Sequence, residues 1–157
     1  MASPVDILFH NAVAAFQAGN PADAERVFEQ LLSAQPRHVA ALNVFAILLT
    51  QLGRLAEAEK YYRRALEINP TSDTTLYNYG IVLKTLNRPA EALQRFSEAL
   101  AINPTAAEAW NNRGTVQNDL KRYADAIADF DKSISINPNY AEALCNKGKN
   151  AVRACVV

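Results

Sequence analysis

The chain has 157 residues, room for one compact domain or one short repeat array and nothing larger. Its 16 basic and 16 acidic side chains give a formal net charge of +0, which argues against a uniformly basic nucleic-acid binder and a polybasic membrane adsorber. Hydrophobic residues at 50% supply a core and argue against disorder; 28 Ala beside only 5 Gly point to helix, because Ala has the best helix propensity and sheet folds need Gly-rich turns. Cys145 and Cys155 are too few for a disulfide framework or a four-ligand zinc site, and ten residues of helix hold them about 15 Å apart, too far to bridge. The N-terminus has no basic leader region, and the longest apolar run, Val44 to Leu49, falls far short of the ~20 residues that span a bilayer. A soluble, reduced, cytoplasmic protein is expected.

Prolines set a period. Pro36, Pro70, Pro104 and Pro138 recur every 34 residues, the last three as Asn-Pro, and Gly80, Gly114 and Gly148 keep the same step, as do Gly19 and Gly53. Another column runs Ala22 to Phe28, Ala56 to Tyr62, Ala90 to Phe96 and Ala124 to Phe130. The period predicts a single array spanning 1–157, with repeats at 5–38, 39–72, 73–106 and 107–140, each of two helices, and a terminal helix in 141–157. In the first repeat Asn11, Ala12 and Ala15 stand where large residues or glycine are usual, so its packing is the least well specified; Asn20-Pro21 opens its second helix. In the third, Leu76, Tyr79, Val82, Leu83 and Leu86 make one helical stripe, and Ala92, Leu93, Phe96, Ala99 and Leu100 make the next. Asn69, Asn103 and Asn137 are expected as left-handed caps ahead of the prolines. Gly80 and Gly114 are expected to face Ala92 and Ala126, with Phe28, Tyr62, Phe96 and Phe130 filling the gaps between successive pairs. The last helix, from Ala141 to about Ala154, presents Lys147, Lys149 and Arg153 as a polar face, and the apolar ending Ala154-Cys-Val-Val157 is expected of a fragment or an abruptly ended array.

Leu76, Tyr79, Gly80, Leu83, Ala92, Phe96, Ala99 and Pro104, followed by Trp110, Gly114, Ala126, Phe130 and Pro138, give the chain its family likeness: it resembles a tetratricopeptide repeat protein. That resemblance implies an all-α fold, a right-handed superhelical α-solenoid of helix-turn-helix repeats whose first helices line a concave groove, and a role as a protein–protein interaction scaffold. The groove-facing columns are then His10, Val44, Asn78, Asn112 and Asn146; Phe9, Asn43, Tyr77, Asn111 and Cys145; Val13, Ile47, Ile81, Thr115 and Lys149; and Phe16, Thr50, Lys84, Asn118 and Val152. An Asn amide carries donors and an acceptor, so a row of them can hold an extended peptide backbone without reading its sequence. The row is similar to the asparagine ladder in the tetratricopeptide arm of O-GlcNAc transferase-like proteins. The expected peptide-binding residues are Asn43, Tyr77, Asn78, Lys84, Asn111, Asn112 and Asn146.

The carboxylate clamp of co-chaperone tetratricopeptide domains is missing. Its Lys places fall on Asn43 and Glu108 and its Arg place on Asn112, and Glu108 or Glu142 would repel a C-terminal carboxylate. Phe9, Phe16 and Tyr77 form a docking strip, unless Phe9 and Phe16 simply fill the first repeat. Arg63-Arg64 and Lys121-Arg122, interspersed with acids, are expected on solvated faces. His10 and His38 are too few for a metal cluster, and the glycines are spent on packing and turns, so no catalytic residue, metal or cofactor is expected, and the chain is not read as an enzyme. Two alternatives to the peptide scaffold remain: the substrate-recognition arm of an O-GlcNAc transferase-like glycosyltransferase, and a module that self-associates through its C-terminal helix.

Overall fold

Each repeat opens where the sequence offers a helix start, and the computed structural model, which describes residues 3–154, is helical throughout with no strand among them. Two compact units divide the chain, residues 1–70 and 71–157. The first holds α1 (Pro4–Gln17), α2 (Pro21–Ala34), α3 (Val39–Gln51) and α4 (Leu55–Ile68). The second holds α5 (Asp73–Thr85), α6 (Pro89–Ile102), α7 (Ala107–Asp119), α8 (Tyr123–Ile136) and α9 (Ala141–Ala154). Helices pair in sequence order, α1 with α2, α3 with α4, α5 with α6 and α7 with α8, while α9 lies against α8 and α7.

Starts and stops follow from side-chain chemistry. Ser3 closes a capping box with Asp6, and Ser72 Oγ accepts from the Thr75 amide at 3.3 Å. Pro21 and Pro89 occupy first-turn positions, where a missing N–H costs nothing. A second column marks the starts of α4, α6 and α8: Arg54, Arg88 and Arg122 stand 34 residues apart at the N-cap positions, and their side chains reach the carboxylates of Glu57, Glu91 and Asp125 three residues on, at 2.6, 2.7 and 2.8 Å. These carboxylates sit in the first turn, where the helix dipole favours negative charge.

The left-handed caps are elsewhere than expected. Asn69, Asn103 and Asn137 are extended, with φ of −131°, −125° and −128°. The reason is the following proline, whose ring crowds the preceding residue out of helical conformations. Positive φ occurs instead within each helix pair, at Gly19, Gly53, Asn87 and Lys121, where a Schellman-type turn closes the first helix; in the second pair Arg54 N donates to Leu49 O at 2.9 Å.

The core of the first unit is aromatic: the Phe28 and Phe45 rings stack with centroids 5.5 Å apart, and Phe45 meets Tyr61 at 4.7 Å. Its α1 fully buries only Ala12, in keeping with the small residues there. In the second unit, Gly80 faces an aromatic ring rather than Ala92, while Gly114 faces both an aromatic ring and Ala126 as expected. A Cβ on Gly80 would lie 2.7 Å from Phe96 Cε1, and one on Gly114 would lie 2.8 Å from Phe130 Cε1 and 3.1 Å from the Ala126 carbonyl oxygen. Phe96 and Phe130 thus press on the glycines of their own pair, whereas Phe28 does reach the following pair. Gly148, third in that column, has open space beside it, and on the same helix Leu144 and Val152 are 47% and 68% exposed. Cys145 is a free, exposed thiol; Cys155 and the valines after it lie outside the described residues.

Candidate functional site

Three first-type helices of the second unit, α5, α7 and α9, lie side by side, with α7 touching both others. Helical spacing puts Tyr77, Asn78 and Lys84 on α5, Asn111 and Asn112 on α7, and Asn146 on α9. Asn111, Asn112 and Asn146 are held in two separate hydrogen-bonded chains. Lys84 Nζ donates to Asn112 Oδ1 at 2.6 Å, and Asn112 Nδ2 donates to the Tyr77 hydroxyl oxygen and to the Glu108 carbonyl, both at 3.1 Å. Asn146 Nδ2 donates to Asn111 Oδ1 at 3.1 Å, and Asn111 Nδ2 donates to the Tyr140 hydroxyl oxygen at 3.4 Å.

One expectation needs correction. Asn111, placed on the groove face by its column, is 0% exposed and offers no surface to a ligand. Its amide orients Asn146 and bonds Tyr140, as a buried carboxamide must do to avoid an unpaired polar group. Asn78 is the opposite case: half-buried, with a carboxamide that makes no hydrogen bond to any described residue. Asn43 belongs to the first unit, on α3, where it is half-buried and engaged with its own surroundings. Phe9 and Phe16 are half-buried, Phe9 stacking on His38 with centroids 5.3 Å apart. His38 also caps α3, its Nδ1 accepting from the Ala41 amide at 3.1 Å, and among the described residues no cluster of His, Cys, Asp or Glu is suited to a metal ion.

The surroundings are acidic. Beside Tyr77 a hollow of about 200 Å³ is walled by Asp73 and Glu108 and floored by Ala99, Ala106 and Ala109. The Asn103 amide, donating to Asp73 at 2.9 Å, and the Thr74 backbone N–H hold the Asp73 carboxyl below its ordinary range, so it is charged at neutral pH. Burial, then the nearby Glu108 carboxylate, pushes the Tyr77 hydroxyl up, and burial with Glu142 pushes Tyr140 up to about 12. Both hydroxyls therefore stay neutral and keep their hydrogen-bonding roles. Sequence reasoning missed Tyr140 and Asp73 because neither lies in a groove column: Tyr140 acts from the joint before α9 and Asp73 from the first residue of α5.

Models of the tetratricopeptide repeat match residues 11–73, 61–94 and 107–140. No curated protein sequence matches the chain. Among solved structures, residues 41 to the end of MamA from Desulfovibrio magneticus RS-1 superpose with a TM-score of 0.91 at 19% identity, over 98% of this chain and 87% of that one. YrrB, described as a TPR protein with an unusual peptide-binding site, gives 0.84 at 23% identity, over 92% and 75%. PilF of Pseudomonas aeruginosa gives 0.85 at 25% identity, over 96% and 68%. No described helix is long and apolar enough to cross a membrane. With the family's repeats matched across both units and its fold reproduced, the chain belongs to the tetratricopeptide repeat proteins.

Proposed function

We propose that the face made by α5, α7 and α9 holds an extended segment of a partner polypeptide that carries a basic side chain. The observation that carries this reading is the Lys84–Asn112–Tyr77 hydrogen-bonded chain standing next to the unpaired amide of Asn78. Its geometry is fixed before any ligand arrives, so little ordering is needed on binding. Asn78 and Asn146 retain capacity for a backbone N–H and C=O. The hollow between Asp73 and Glu108, with its alanine floor and the Tyr77 ring, suits the stem and cation of a Lys or Arg. That YrrB is described as binding peptide supports the class of ligand.

The test is a display selection on a random peptide library followed by affinity measurement of the selected peptides. Enrichment of Lys or Arg, and affinity lowered about tenfold or more by the Asn78→Ala/Asn112→Ala double change at unaltered helicity, are expected. Equal affinity in the double variant, or selection of acidic peptides, would overturn the reading.

A further inference from the structure

Most cations of the second unit are already matched. Arg88, Arg95, Arg113, Arg122 and Lys147 each hold a carboxylate at 2.6 to 2.8 Å. Lys121, Lys132 and Lys149 form no ion pair with a described residue, but they are exposed, and water serves their charge. Lys84 differs from both groups. It is half-buried on α5, it forms no ion pair with any described residue, and its ammonium bonds the neutral carboxamide of Asn112 at 2.6 Å. Two of its three donors stay unspent. A cation partly stripped of water and unmatched by a carboxylate attracts an anion more strongly than an exposed one, whose pairing solvent and salt screen.

Lys84 also has a fixed place beside the acidic hollow. Its Nζ bonds Asn112 Oδ1, and Nδ2 of the same amide donates to the Tyr77 hydroxyl oxygen at 3.1 Å; with about 2.2 Å across the carboxamide, the ammonium lies no more than about 8 Å from that hydroxyl. Tyr77 in turn lines the hollow of Asp73 and Glu108. A negative pocket and an unmatched positive group thus stand side by side on one face. In an extended chain, side chains two residues apart point the same way at a separation of about 7 Å, which spans that distance.

We propose that the segment held by this face carries an acidic side chain two residues from its basic one, in either chain direction, with the carboxylate on Lys84 Nζ and the cation in the hollow. The inference rests on the peptide-binding reading above and adds to it a second charge and a spacing. A basic residue at the acidic place would be repelled by Lys84.

The experiment titrates the whole chain by calorimetry with acetyl-Ser-Ser-Arg-Thr-Glu-Ser-Ser-amide and with the peptide of reversed Glu-Thr-Arg order, each compared with forms carrying Gln for Glu or Gln for Arg. At least one order should bind saturably. Replacing its Glu should weaken binding about tenfold in the parent and less than twofold in Lys84→Gln, while replacing its Arg should weaken binding in both proteins. Lys84→Glu should reverse the preference, favouring the peptide with Lys in place of Glu. A Glu replacement without effect in the parent, or with equal effect in Lys84→Gln, would overturn the inference and leave the basic-segment reading standing. Indifference to the Arg replacement, or no saturable binding of either peptide, would overturn that reading and the inference with it.

Discussion

One pair of positions, sixteen residues apart in every repeat, changes chemistry between the two units. In the second repeat, part of the first unit, it holds Phe45 and Tyr61, two rings 4.7 Å apart, while the first repeat has Asn11 and Val27 there. In the second it holds Tyr79 with Arg95, whose guanidinium carbon lies 6.0 Å from the ring, and then Arg113 with Asp129, joined by two bonds of 2.7 Å. An aromatic contact, a cation–π contact and an ion pair thus occupy equivalent places between a first helix and its second. The lesson is that this fold specifies where two side chains meet and leaves open how they attract. The glycine column differs in the same way: Ala12 and Ala46 hold it in the first unit, Gly80 and Gly114 in the second.

The comparison can be broken most severely at Asp129, which is 4% exposed. Asp129→Ala strands the Arg113 guanidinium and is expected to cost about 3 kcal/mol in denaturant unfolding, whereas the joint change Arg113→Phe/Asp129→Tyr, which installs the pair of the second repeat, should fall within about 1 kcal/mol of the parent. A double variant as unstable as the single one would show that the two contacts are not interchangeable. The glycine column gives an effect of intermediate size and opposite signs. Gly114→Ala should cost about 1–2 kcal/mol, because the Ala126 carbonyl cannot turn aside as a side chain can. Gly148→Ala, into open space, should stabilise by about 1 kcal/mol through helix propensity alone. Thermal melts showing the same sign for both would sink this account of the column. The smallest effect is at the turn, where the first unit uses Gly19 and Gly53 and the second uses Asn87 and Lys121. Lys121→Gly relieves left-handed strain but adds freedom to the unfolded chain, for a net gain of about 0.5 kcal/mol, readable as a slightly higher melting temperature.

The helices were legible because proline and glycine act through the backbone, and a backbone constraint repeated every 34 residues survives any change of surface. Side-chain partners were less so. The Asn-Pro joints read as left-handed caps because asparagine alone favours that conformation, yet the proline after it decides the matter. Small residues meeting small ones would pair Gly80 with Ala92, whereas the role of Gly80 is to admit the ring of Phe96. Within the site, the columns identified Tyr77, Lys84 and Asn112 as neighbours but said nothing of their bonds to one another. Asn111 differs from Asn112 by one residue, about 100° of helix rotation, and that turn carries it from surface to interior. The Arg54, Arg88 and Arg122 column was visible as a period, but its acidic partners stand three residues later and are read only once helix starts are known.

Trp110 is the sole tryptophan of the chain; its Nε1 donates to the Pro104 carbonyl at 2.9 Å, and the Arg113 guanidinium carbon lies 4.6 Å above its ring. Its fluorescence is therefore a private signal of the α6–α7 joint, silent about α1 to α4, while circular dichroism sums over every helix. Melting curves from the two spectroscopies would coincide if the halves of the chain lose structure together and would separate if one half lets go first.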